Sequence, residues 1–89
     1  MTVNAVFEAL AHPVRRKILR LLRQGPMSAG EIAGNFELTK PTLSSHFSKL
    51  RQAGLVAVER QGASLIYSLN ADLLEEAVSS MLVSKDRDA

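Results

Sequence analysis

The 89-residue sequence contains no cysteine and no tryptophan, and its aromatic residues are one tyrosine and three phenylalanines. Without cysteine, the chain forms no disulfide bond and offers no thiolate to a metal ion. Hydrophobic residues nevertheless make up 46% of the chain, so its core is expected to be built from leucine, isoleucine, valine and alanine. The length predicts one small domain, residues 1–89.

Long apolar segments are also missing, since no run approaches the roughly 20 residues that a membrane-spanning helix requires. The chain does not start with a basic segment that leads into an apolar one, so no secretory signal is visible. We therefore expect a cytoplasmic protein without a membrane span. The sequence lacks a nucleophile–base pair, a phosphate-binding glycine loop and a candidate carboxylate dyad. It predicts a protein that is not an enzyme and that binds no cofactor.

Charge is unevenly distributed, although the net charge is only +2. Residues 1–71 carry nine lysines and arginines against four glutamates, a net +5, whereas residues 72–89 carry two against five acidic residues, a net −3. A basic body favours a polyanionic partner. Five of the cations lie on the second predicted helix, on the side opposite its apolar residues, and are expected to face solvent. They are Arg15, Arg16, Lys17, Arg20 and Arg23.

The spacing of apolar residues predicts five helices and one β-hairpin. The helices are expected at residues 2–11, 13–23, a short stretch after Ser28, 40–54 and 72–84, and the hairpin at 55–69. Ser28 and Glu31 form a capping-box pattern, Thr39 is a second N-cap, and Gly54 ends the fourth helix. The predicted class is mainly α with a small β-hairpin (α+β), in the order ααααββα. This is a helix-turn-helix at about 28–54 followed by a wing at about 55–69.

The fourth helix has an unusual exposed face. Its apolar stripe is Leu43, Phe47 and Leu50, and its other side carries short hydroxyl groups with cations at both ends. These residues are Lys40, Pro41, Thr42, Ser44, Ser45, Ser48, Lys49 and Arg51. Such a face costs helix propensity, but short hydroxyls let a helix lie deep in a DNA major groove and bond either kind of base edge. The flanking cations suit phosphates. The alternative for a single serine is a solvated or locally bonded hydroxyl.

The first and last helices carry more apolar residues than one small core can cover. On the first helix they are Val3, Val6, Phe7 and Leu10, and on the last they are Leu74, Val78, Met81 and Leu82. An exposed apolar patch favours association. We therefore predict a homodimer formed by residues 2–11 and 72–84. Its twofold axis would place two reading helices about 34 Å apart, one turn of the DNA duplex.

Three segments, HPVRRKILRLL, AGEIAGNFELTKPTLSSHFSKLRQAGLV and RQGASLIYSLN, resemble the ArsR/SmtB family of bacterial winged-helix repressors. The similarity spans about residues 7–82 and is greatest to the branch of SdpR-like autorepressors. It implies a homodimeric repressor that binds an inverted-repeat operator in double-stranded DNA. Resemblance to that branch further implies that the protein represses its own promoter and that a sequestering protein releases it from DNA. The residues it assigns to base reading are Lys40, Pro41, Thr42, Ser44 and Ser45. Those it assigns to the wing's contact with the DNA backbone or minor groove are Arg60 and Gln61.

His46 lies at the border of the apolar stripe of the fourth helix. The resemblance makes it either a buttress of the reading helix or a phosphate contact, and the alternative is a half-buried histidine that bonds a backbone carbonyl. His12 is expected to lie just before a helix start.

Family members that sense metals use cysteines in the third helix, or aspartate and histidine on the last helix. The last helix here has Asp72, Glu75 and Glu76 but no histidine follows His46. Carboxylates alone make a poor transition-metal site. They suit the N-terminal end of a helix dipole instead, so the sequence predicts no metal site.

Two other functions stay open on the sequence. A winged helix can serve as a protein-interaction module without reading DNA, or as a regulator that responds to a small molecule at its dimer interface. A steep fall of DNA affinity with increasing salt would favour a DNA-binding protein over a protein-interaction module. Thermal shifts with a panel of metabolites would test the small-molecule regulator.

Overall fold

The chain is seen in a computed structural model, which describes residues 3–82. Within them the elements are α1 Val3–Leu10, α2 Pro13–Leu22, β1 Met27–Ser28, α3 Ala29–Ala33, α4 Lys40–Gln52, β2 Val56–Gln61, β3 Ser64–Leu69 and α5 Ala71–Leu82. Helices α3 and α4 form a helix-turn-helix and strands β2 and β3 form its wing, so the predicted winged helix-turn-helix fold is confirmed. The predicted helix positions 2, 83 and 84 lie outside the described residues.

Local capping groups explain where the helices begin. The Oγ of Ser28 accepts from the N–H of Glu31, whose carboxylate accepts from the N–H of Ser28, which confirms the capping box. Thr39 caps α4 as predicted, by accepting from the N–H of Thr42. His12 has a larger role than the sequence suggests, because its Nδ1 accepts from the N–H of Val14 and so caps α2.

A short strand, β1, is absent from the sequence prediction. It pairs antiparallel with β3, which gives the sheet order β1-β3-β2. Met27 lies opposite Tyr67 and Ser28 lies opposite Ile66. Two residues are too few for alternation to be recognised in a sequence. The pairing ties the start of α3 to the wing.

Gly54 carries the chain from α4 into the wing. Its φ of 80° lies in the left-handed region that favours glycine, and the N–H of Leu55 then bonds the carbonyl of Leu50 at 3.0 Å. The side chain of Asn70 donates to the carbonyl of Gly54 at 3.1 Å and also accepts from the N–H of Leu73. Asn70 therefore fixes the start of α5 against the end of α4.

The core lies between the helices and the inner face of the sheet. Its fully buried residues include Ile18, Ile32, Leu50 and Leu55. Helix α1 packs against α2, α4 and α5. The chain therefore closes one aliphatic core around the helix-turn-helix, as the composition predicts.

Arg15 corrects the prediction that all five cations of α2 face solvent, because only 9% of it is exposed. Its Nε donates to the carbonyl of Ala9 at 2.7 Å and its Nη2 to the carbonyl of Glu8 at 3.0 Å. The side chain of Arg16 donates to the carbonyl of Leu10 at 2.7 Å. These carbonyls belong to the last turn of α1, where the helix itself leaves carbonyl groups unsatisfied; that of Glu8 also accepts from the N–H of Ala11. Helix α2 thus supplies the cations that complement the negative end of the α1 dipole.

Candidate nucleic-acid interface

Helix α4 divides sharply between a buried side and an exposed side. The buried side holds the predicted apolar stripe, Leu43, Phe47 and Leu50. The exposed residues are Lys40, Pro41, Thr42, Ser44, Ser45, Ser48, Lys49, Arg51 and Gln52. Every polar residue expected to face DNA from this helix is therefore exposed, except His46.

The hydroxyl groups of the exposed face differ in how far they are already engaged. The hydroxyl of Thr39 donates to that of Thr42 at 2.9 Å, which holds Thr42 at the start of the helix. Gln52 donates to Ser48 at 3.5 Å. Within residues 3–82, the hydroxyls of Ser44 and Ser45 make no hydrogen bond. They can therefore donate to, or accept from, an external partner at no cost in internal bonds.

Cations lie at both ends of this face. Lys40 and Arg51 are exposed at the first and last turns of α4. The Nζ of Lys49 lies 3.9 Å from a carboxylate oxygen of Glu8 in α1, with both side chains largely exposed. An exposed pair of this kind contributes little, so Lys49 can exchange Glu8 for a phosphate.

The wing presents Arg60 and Gln61 at its exposed tip. Both residues lie at the end of β2, next to a turn in which Gly62 has a φ of 62°. The rings of Phe47 and Tyr67 stack with their centroids 4.4 Å apart. Because Phe47 belongs to α4 and Tyr67 to β3, this stack fixes the wing relative to α4.

His46 is turned away from the exposed face of α4 and is only 9% exposed. Its Nδ1 lies 3.2 Å from Nη1 of Arg15, and its ring centroid lies 4.4 Å from that of His12. Burial, followed by the neighbouring His12 and Arg15, lowers the pKa of His46 below its ordinary value of 6.5. This placement supports the interpretation of His46 as a buttress of α4, since little of its side chain is exposed to a DNA partner.

The residues predicted to form a dimer interface do not all lie at the surface. Val78, Met81 and Leu82 of α5 are 43%, 63% and 79% exposed. Three others are half-buried: Phe7, Leu10 and Leu74. Val6 is only 2% exposed, so the core of its own chain already covers it and little of it is left for a partner. The side chain of Val3 lies outside what the structure describes.

Asp72, Glu75 and Glu76 border a shallow, open surface near the start of α5. Within residues 3–82, no group of three or more histidine, aspartate or glutamate side chains is placed to hold a metal ion. None of the helices in this part of the chain is long and apolar enough to cross a membrane.

The model of a family described as "Bacterial regulatory protein, arsR family" matches residues 12–58, which run from the cap of α2 into β2. This chain belongs to the ArsR family. It is therefore a DNA-binding helix-turn-helix transcriptional regulator and not an enzyme.

Individual proteins agree with the ArsR assignment. The chain is 44% identical over 80 residues to the transcriptional repressor SdpR of Bacillus subtilis strain 168, which covers 90% of this chain and 89% of SdpR. The crystal structure of the ArsR family transcriptional regulator RHA00566 superposes with a TM-score of 0.85 at 28% identity, and covers 96% of this chain and 87% of that one. NolR from Sinorhizobium fredii gives a TM-score of 0.75 at 31% identity, with 88% and 78% covered.

Proposed function

We propose that this ArsR-family regulator is a homodimeric repressor that places α4 of each protomer in successive major grooves of an inverted-repeat operator. The observation that carries the proposal is the exposed face of α4, on which the hydroxyls of Ser44 and Ser45 are free and cations stand at both ends. The similarity to the repressor SdpR supports repression as the regulatory outcome.

Base reading is assigned to the first turns of α4. The proposed readers are Lys40, Pro41, Thr42, Ser44 and Ser45. A serine hydroxyl bonds either a donor or an acceptor on a base edge, and the methyl group of Thr42 can contact a thymine methyl. Short side chains also let the helix axis approach the bases closely, so this part of α4 carries sequence recognition.

Phosphate contacts are assigned to the flanks. Lys49 and Arg51 follow the readers along α4, and Arg60 and Gln61 at the wing tip would lie along the backbone or minor groove. Such contacts fix the position and orientation of the protein but carry no sequence information themselves. Their number sets the salt dependence of binding.

The dimer is assigned to α1 and α5. The six contributing side chains are Phe7, Leu10, Leu74, Val78, Met81 and Leu82. The exposure of Val78, Met81 and Leu82 supports this assignment, because apolar groups on one helical stripe favour association. The two α4 helices would then stand about 34 Å apart, which matches one duplex turn.

The proposed repressor does not respond to metals. The sequence has no cysteine and no histidine after His46, so it has no thiolate ligand, and its last helix has no imidazole ligand for a transition metal. Autoregulation and release by a sequestering protein rest on the resemblance of the sequence to SdpR-like autorepressors.

Selection from a random duplex library tests the proposal. The purified chain is incubated with the library at low and at moderate salt, and the retained DNA is sequenced. We expect an enriched inverted repeat whose half-site spacing reports the separation of the two α4 helices. Affinity for that duplex should fall with salt, with a log–log slope of about −0.9 for each phosphate contacted. If no duplex is enriched and the affinity for DNA does not change with salt, the protein would instead be a protein-interaction module.

A further inference from the structure

Arg15 is a buried cation with an unusual set of partners. In the described part of the chain no carboxylate lies within ion-pair distance of it. Its guanidinium instead donates to the carbonyls of Glu8 and Ala9 at the end of α1 and reaches Nδ1 of His46 in α4. A buried charge is costly unless its hydrogen bonds are satisfied. One side chain of α2 therefore holds α1 and α4 together.

The contact at His46 fixes the state of its ring. A guanidinium has donors and no acceptor, so Nδ1 of His46 must accept, and its proton must be on Nε2. Protonation of Nδ1 would place two N–H donors and two positive charges 3.2 Å apart. The bridge between α1 and α4 therefore exists only while His46 is neutral.

A second contact links the same two helices. Lys49, one turn after His46 on α4, lies 3.9 Å from the carboxylate of Glu8, whose carbonyl also accepts from Arg15. The charged or titratable groups that contact His46 are Arg15 from α2 and His12 from the α1–α2 junction, and the Lys49–Glu8 pair lies one turn further along α4. Burial, His12 and Arg15 oppose protonation of His46.

We propose that Arg15 is a positioning residue, which couples α1 to α4 through His46 and so sets the orientation of the reading helix without contacting DNA. The proposal rests on the proposed function, in which α1 joins the dimer and α4 reads the operator. Dimer formation through α1 would then orient α4 for DNA. Acidification would break the bridge and weaken operator binding.

The test uses Arg15→Met and His46→Leu, each of which removes one side of the bridge, and the double variant that carries both changes. It also uses His46→Gln, whose amide oxygen can still accept from Arg15. Operator affinity is measured at pH 7.5 on protein shown by circular dichroism to be folded. We expect each single variant to bind roughly tenfold more weakly, since a hydrogen bond to a charged group is worth about that factor. The double variant should bind no worse than the weaker single one, and His46→Gln should restore binding.

Salt and pH separate positioning from direct contact. The salt slopes of Arg15→Met and His46→Leu should equal that of the wild type, whereas Lys49→Ala should reduce the slope by about 0.9. Wild-type affinity should fall once the pH drops below the lowered pKa of His46, and the affinity of His46→Gln should not. The proposal would be overturned if Arg15→Met and His46→Leu both bound the operator as tightly as the wild type. It would also be overturned if their losses of affinity added in the double variant, or if Arg15→Met had a smaller salt slope than the wild type. Arg15→Lys, which keeps the charge but loses the fork, replaces Arg15→Met if that variant does not fold.

Amide hydrogen exchange separates failure of the bridge from failure of the proposed function. If the wild type retains no duplex, DNA reading is wrong, but the bridge still predicts faster exchange in Arg15→Met. The change should appear both at the end of α1 and in the turn of α4 around His46, while β2 and β3 stay as in the wild type. Unchanged exchange in α4 would overturn the coupling whatever the result with DNA.

Discussion

Helices α4 and α5 are of similar length, 13 and 12 residues, yet they expose opposite kinds of surface. Helix α4 buries its apolar stripe and shows hydroxyls and cations, whereas α5 buries only Ala77 fully and leaves Val78, Met81 and Leu82 at the surface. The difference indicates two kinds of partner. A polar face of short side chains suits the edges of bases, and an exposed apolar stripe suits a protein surface.

The largest effect is expected from Ser45→Arg, which places a long cation in the middle of the face assigned to base reading. The guanidinium would keep α4 from approaching the bases while adding attraction to phosphates. Operator affinity should fall to that for unrelated DNA, a loss of roughly 1000-fold. Fluorescence anisotropy with operator and scrambled duplexes measures this loss.

Ser79→Arg is the matched control, because it adds the same side chain at an exposed position of α5. It should leave both operator affinity and the dimer unchanged. Sedimentation velocity should show that Ser45→Arg is also still a dimer. Normal operator binding by Ser45→Arg would mean that α4 does not dock on DNA through this face.

The next effect concerns the apolar surface of α5. Val78→Glu would bury a carboxylate without a partner in the proposed dimer, which is strongly unfavourable. The dimer dissociation constant should rise about 100-fold, as for a central interface residue. Sedimentation equilibrium measures it, and Ser79→Glu adds the same charge one residue away on the acidic side of the helix. Equal effects of the two variants, or a monomeric wild type, would contradict the assignment of α5 to the interface.

The sequence predicts the two faces of α4 well, for a simple physical reason. Leu43, Phe47 and Leu50 repeat at helical spacing, and the hydroxyl residues between them have no place in an aliphatic core. The caps at Ser28 and Thr39 are equally local, since each bonds an N–H only three residues away. Features that depend on neighbouring residues are therefore readable from the chain itself.

Features that depend on packing between elements are not readable in this way. The sequence indicates that α1 is apolar but not how its apolar residues divide between the core and a partner. It therefore places Val6 at the interface, whereas Val6 lies in the core. The sequence places Arg15 with the other cations of α2 on the side that faces solvent, where arginine usually lies. One signal was present, since Arg15 continues the i, i+3, i+4, i+7 spacing of Ile18, Leu19 and Leu22.

A smaller effect is expected where α4 joins the wing. Gly54→Ala forces a β-carbon into a left-handed conformation, which should cost about 1 kcal/mol of unfolding free energy. In the control Gly30→Ala, the new β-carbon would meet only the Oγ of Ser28 at 3.9 Å. That change should be neutral or stabilising, since alanine favours a helix. Urea denaturation measures both, and a loss in Gly30→Ala equal to that in Gly54→Ala would show that the left-handed conformation is not the cause.

The smallest effect belongs to His46, which lies on α4 against Arg15 of α2 and His12 at the α1–α2 junction. Its pKa is lowered in the folded state by burial, His12 and Arg15, so the unfolded chain takes up the proton first as the pH falls. The stability from this residue is fully present above pH 6.5 and declines below it, until the folded state is protonated as well. Urea denaturation at pH 7.5 and 5.5 should therefore show a larger loss for the wild type than for His46→Gln. Because His12→Asn keeps a good N-cap and removes one of the groups that lower the pKa of His46, it should reduce the loss without abolishing it. An equal loss in all three proteins would mean that folding does not lower the pKa of His46.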